Sequence, residues 1–111
     1  SDVAGGQSES IFRAITDSIQ VSKMYWRHVN QDCKPIIFSE AFFLATKGGG
    51  EFFGKVGSFE NDYEFDAIVL DDSSLEHPQE LNILQRLERA VYLSLDIKGI
   101  CAKFVNGNQI F

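Results

Sequence analysis

The chain has 111 residues, 44% of them hydrophobic and ten of them Phe, which is enough apolar material for a core and too aromatic for a disordered segment. A formal net charge of −6 argues against a nucleic-acid backbone as partner, because phosphates require a basic face and no lysine-rich tract offsets the acidity. No run approaches the ~18 apolar residues of a membrane span, and the start Ser1-Asp2-Val3-Ala4-Gly5-Gly6 has neither the basic opening nor the apolar stretch of a signal peptide.

Residues 1–7 are small and Gly-rich and read as a loop. Ser8 is placed to cap a helix, and Glu9 then sits at the positive end of its dipole. Phe12, Ile15, Ile19 and Trp26 recur at helical spacing with Ile11 beside them, which predicts one amphipathic helix from about Glu9 to His28. Asn30-Gln31-Asp32 ends it. Pro35 precedes a second expected helix, about Phe38 to Lys47, with Ala41, Phe42, Leu44 and Ala45 as its core side. Gly48-Gly49-Gly50 is expected to break or loosen that helix, with one further turn at Glu51-Phe52-Phe53 closed by Gly54.

Phe65 to Leu70 reads as a short buried strand, ended by the turn formers Asp71-Asp72-Ser73-Ser74. Pro78 suits the first turn of a third helix, where its missing N–H costs little. In that helix Leu84, Leu87 and Val91 face inward with Ile83 and Ala90, while Glu88 and Arg89 face solvent. Asn106-Gly107 lies between Ile100–Val105 and Asn108–Phe111. Both turn residues must take positive φ, so this is a strong hairpin signal. The order is helix, helix, strand, helix, hairpin: a small α+β unit.

The ionisable residues give weak signals. His28 and His77 have no second His or Cys at metal-ligand spacing and read as surface histidines. Asp71-Asp72 has the form of paired carboxylates, but a strand-ending turn explains it more simply. Glu60, Asp62, Glu64 and Asp66 read as a solvated acidic loop. The triple Gly lacks the following Lys-Ser/Thr of a phosphate loop. Cys33 and Cys101, far apart and in no CxxC pair, are expected to be free thiols of a cytoplasmic protein. Asp2, a carboxylate before a Gly loop and a helix, is a weak catalytic signal on spacing alone.

Three stretches taken together resemble the guanine deaminase family of the amidohydrolase superfamily. They are Ser1-Asp2-Val3-Ala4-Gly5-Gly6, the run from Phe38 through Glu40-Ala41-Phe42 to Ala45-Thr46-Lys47-Gly48-Gly49, and Gly54-Lys55-Val56-Gly57-Ser58-Phe59-Glu60 with Phe65-Asp66-Ala67-Ile68-Val69. The resemblance covers essentially the whole chain. It departs at Asn61-Asp62-Tyr63-Glu64, where the family usually has a Gly-Lys pair, and at Ser94-Leu95-Asp96-Ile97-Lys98, where the family is more acidic and carries an Arg.

The resemblance implies an α+β fragment: residues 1–54 as the C-terminal end of a (β/α)8 TIM barrel, including its last helix, and residues 55–111 as part of a composite β-sandwich domain with an inserted helix. It implies guanine as substrate, zinc as cofactor, a cytoplasmic location, no membrane or nucleic-acid partner, and a homodimer when intact. Asp2 would bind the metal and take a proton from its water. The family's His ligands are not in this chain, so the remaining N-terminal part of the enzyme is an expected partner, and the chain alone is expected neither to catalyse nor to hold zinc tightly. The alternatives are another amidohydrolase-type purine or pterin deaminase, or a stand-alone α+β interaction domain without chemistry.

Overall fold

The computed structural model describes residues 5–111, so Asp2 lies outside the described residues. Helix α1 spans Ile11–His28. Its cap is Ser10 rather than Ser8: the Ser10 hydroxyl accepts from Arg13 N at 3.1 Å, while Ser8 Oγ accepts from Ser10 N. Phe12, Ile15 and Ile19 are buried as the periodicity requires. Trp26 is not, because the helix has run past its packing partners; the indole N–H donates to Gln31 O at 3.0 Å instead and closes the following turn.

Helix α2 is Phe38–Phe43, and its first turn is stabilised by Glu40, whose carboxylate accepts from Ile37 N at 2.9 Å. The glycines do not break the helix. The chain widens into a π turn at Leu44–Gly48 and stays helical through Gly50. Ala41 is buried and Phe42 and Ala45 half-buried, but Leu44, which opens the wider turn, is exposed. Gly54, with φ +117°, then turns the chain away.

Strand β1 is Ala67–Leu70, β2 is Ile100–Val105 and β3 is Asn108–Gln109, forming one antiparallel sheet in the order β1-β2-β3. The Asn106-Gly107 turn has φ of +47° and +75°, as the hairpin signal requires. Helix α3 is Ile83–Tyr92. Pro78 lies before it rather than in its first turn, because Asn82 and Gln85 cap it reciprocally: each side-chain oxygen accepts from the other's backbone N–H at 2.9 Å.

The core gathers Phe12, Ile15 and Ile19 of α1, Phe38 and Ala41 of α2, and Val91 of α3, with Leu70 of β1 packed against it. Each large side chain buried there contributes about 1.5–3 kcal/mol. The remaining apolar surface is left open. Ile83 and Leu84 of α3 are exposed, as are Ile68 and Val69 of β1, and no sheet residue is fully buried. Phe52, Phe53 and Phe59 are 88%, 78% and 78% exposed. The radius of gyration is 15.5 Å, against about 13 Å for a closed domain of this length. Exposed apolar area on this scale marks surface meant for burial. No described helix is long and apolar enough to cross a membrane. The isolated 111-residue chain is therefore expected to bind a hydrophobic reporter dye strongly and to self-associate in gel filtration. A monomer that binds no dye and melts cooperatively would show that these faces close without other protein.

Candidate functional site

Asp2 lies outside the described residues, and the described chain meets a distant segment at the start of α1. Ser10 is shared between two elements. Its hydroxyl accepts from Arg13 N and donates to the carboxylate of Asp96, which stands in the turn after α3. Helix α1 has no acidic residue in its own first turn, so Asp96 supplies, from a distant part of the chain, the negative charge that a helix N-terminus favours. In the sequence the Ser94–Lys98 stretch stands out only as a departure from the family pattern; periodicity gives no sign of this contact.

Asp71, Asp72, Glu60 and Asp66 have structural partners. Asp71 and Asp72 do not form a proton-sharing pair. Asp71 Oδ1 accepts from Ser73 N at 2.9 Å, and that backbone hydrogen bond holds its carboxyl below the usual Asp range. Asp72 receives Arg86 through two hydrogen bonds of 2.7 Å, which lower its carboxyl in the same direction. Glu60 meets Lys47 at 2.5 Å; the contact lowers the Glu60 carboxyl and raises the Lys47 ammonium, so both stay charged at neutral pH. Asp66 Oδ1 accepts from Asn106 N at 2.8 Å and ties the hairpin tip to the chain before β1. None of the shifted carboxyls is raised in the way a general acid requires.

Arg89 is half-buried rather than solvent-facing, and its guanidinium donates to Leu75 O at 2.8 Å and Glu76 O at 3.3 Å. With Arg86 it walls a shallow cavity that His77, Gln79 and Leu81 complete. The cations there already serve Asp72 and the loop carbonyls, so the cavity reads as the underside of an anchored loop. His77 Nδ1 lies 3.1 Å from the Gln79 backbone, and His28 is exposed in the last turn of α1. Cys33 and Cys101 are exposed free thiols. Among the described residues no group of three His, Cys, Asp or Glu side chains could hold a metal ion, so they do not by themselves fit a zinc site.

The Asp72–Arg86 pair has a pH signature. A carboxyl with a depressed folded pKa contributes stability that is present above its unfolded value and lost as pH falls through the folded one. The loop over residues 72–82 is therefore expected to stay anchored at neutral pH and to loosen only as the pH falls below the usual Asp range. Carbon-detected NMR titration of Asp72 checks this: Arg86→Gln should move its midpoint upward, and an unmoved midpoint would dismiss the pair as the cause.

No family model matches the chain. It is nevertheless similar to guanine deaminases over nearly its whole length. Those of Dictyostelium discoideum and Homo sapiens are 30% and 33% identical over 99% and 98% of this chain. The crystal structure of guanine deaminase from C. acetobutylicum, with guanine bound in its active site, matches with a TM-score of 0.90 at 45% identity and covers 99% of this chain. In each comparison this chain spans 26% of the relative, about a quarter of its length.

Proposed function

We propose that this chain is the C-terminal part of a guanine deaminase that hydrolyses guanine to xanthine and ammonia. The observation that carries this reading is the end-to-end match: a guanine-bound guanine deaminase aligns with 99% of the chain at 45% identity and a TM-score of 0.90. In this reading residues 1–54 complete a (β/α)8 barrel and residues 55–111 enter a composite β-sandwich. The open faces of α3 and of the sheet support it, since neither has a cover among the described residues. The rest of the enzyme would be the principal partner, and the cytoplasm its compartment.

The reaction needs an activated water and a proton for the departing amine. A zinc ion held mainly by histidines outside this chain would supply the acidified water. What this chain would contribute is the carboxylate of Asp2, which the family resemblance would put where such barrels gather their chemistry. It would take the water's proton and return it to the leaving nitrogen. Assay of the intact protein with guanine, following xanthine absorbance and ammonia release together, is expected to show stoichiometric formation of both. Turnover of a pterin or another purine with none of guanine would replace the substrate while keeping the chemistry.

A further inference from the structure

Asn106 is the one asparagine in the sequence that is followed by glycine. The pair forms the tip of the β2–β3 hairpin, and both residues are exposed. The side-chain amide of asparagine is a labile group. Its carbonyl carbon, Cγ, is open to attack by the backbone nitrogen of the next residue, and a side chain on that residue hinders the approach. Gly107 has none, and nothing lies within 4 Å of where its Cβ would stand.

The same tip is tied down at both reacting residues. Gly107 N, the attacking atom, donates to Phe65 O at 3.0 Å. That nitrogen attacks only after losing its proton, and a hydrogen bond donated to a carbonyl keeps the proton in place. Asn106 N donates to Asp66 Oδ1 at 2.8 Å, with the Asn106 backbone held at φ +47°. The Asp66 carboxylate also opposes negative charge developing on a nitrogen one residue away. The bond to Phe65 O has to break before ring closure, so reaction in the folded chain follows local opening of the tip.

We propose that Asn106 is a site of spontaneous deamidation, and that the attachment of the hairpin tip to Phe65 and Asp66 sets its rate. Gly107 N bonds to Asn106 Cγ, the Cγ–Nδ2 bond breaks, and the departing nitrogen takes up the proton shed by Gly107 N and leaves as ammonia. Water then opens the succinimide ring. Breaking the Cγ–N bond gives Asp, and breaking the bond from the backbone carbonyl carbon to N gives isoaspartate. Either product places a carboxylate near that of Asp66, on a chain whose formal net charge is already −6. Isoaspartate also lengthens the backbone by one carbon in the turn that sets the Phe104–Gln109 and Val105–Asn108 register. The modified tip therefore loses its tie to the chain before β1.

The test follows position 106 of the intact protein by peptide mapping and mass spectrometry, which separate Asn, Asp and isoaspartate. Samples are held at mildly alkaline pH in native buffer and, in parallel, in denaturant. Conversion in denaturant is expected to be at least several-fold faster than in native buffer, and to run ahead of that at Asn30, Asn61, Asn82 and Asn108. Asp66→Ala in native buffer should convert several-fold faster than the parent. Gly107→Ala should be slower than the parent in denaturant, where only the added side chain matters. Absence of conversion at 106 in denaturant would remove the site, and equal rates in the two buffers would remove the gate. If other parts of the protein shield the tip instead of this tether, Asp66→Ala would match the parent and the assignment of the gate would fall. Should Asp66→Ala not fold, the native and denatured parent still decide between a gated and an ungated site.

Discussion

Replacement of Asp2 by Ala in the intact enzyme is expected to cut guanine turnover by roughly 10²–10⁴-fold, the range that a positioned general acid–base group supplies. Metal content per enzyme should fall as well, since in the proposed reading the same carboxylate also binds the metal. Asp2→Asn separates the two roles. The amide oxygen can still approach a cation but holds no proton at neutral pH, so it should retain more metal than Asp2→Ala while remaining slow. Steady-state kinetics with metal analysis on the same samples checks both. Near-normal turnover in either variant would remove Asp2 from the chemistry and leave the proton transfer to a residue outside this chain.

Gly57→Ala should be far more damaging than Gly54→Ala. Gly57 has φ +83°, which costs an L-residue about 1–2 kcal/mol. A Cβ there would also stand 2.5 Å from Thr46 O and 2.7 Å from the Thr46 carbonyl carbon. Backbone has no rotamer with which to retreat, so the overlap adds about 1–3 kcal/mol, for a total of about 2–5 kcal/mol. Gly54→Ala is the control: φ is +117°, but nothing lies within 4 Å of its would-be Cβ, so only the conformational part should be felt. Denaturant midpoints of the two variants of intact protein should differ clearly. Equal losses would mean that the chain at 55–58 does not press on the turn at Thr46.

Much of this architecture is readable from residue spacing. The Phe12–Ile15–Ile19 stripe finds its core, and Asn106-Gly107 finds its turn, because both depend on local rules. Following Pro78 misplaces the start of α3, although Asn82 and Gln85 stand at capping-box spacing and carry the better signal. Trp26 departs for a different reason: periodicity tells which way a side chain points and not how far the partner helix extends. The glycine triplet resembles a stop because propensity penalises Gly in a helix, whereas at Gly50 the close approach of the Val56 carbonyl leaves no room for a Cβ. Asp2 is visible only through family resemblance, since one carboxylate before a loop has no pattern of its own. The Ser10–Asp96 link has none either, being a contact made by tertiary packing alone.

The π turn at Leu44–Gly48 makes the length of this segment as informative as its composition. An α-helix advances about 100° per residue, and a turn widened by one residue absorbs that advance, so the chain beyond it faces as it would in a regular helix one residue shorter. Gly50 lies just past the widened turn, against the Val56 carbonyl. Removing a single residue between Leu44 and Gly48 should restore a regular helix and leave Gly50 facing the same way, whereas adding one there should swing Gly50 by about 100°. With such an insertion the loop at Val56–Gly57 would lose its seat even though every glycine survived. Comparisons among relatives should therefore treat an insertion in this stretch as a change of geometry, more consequential than a one-residue gap.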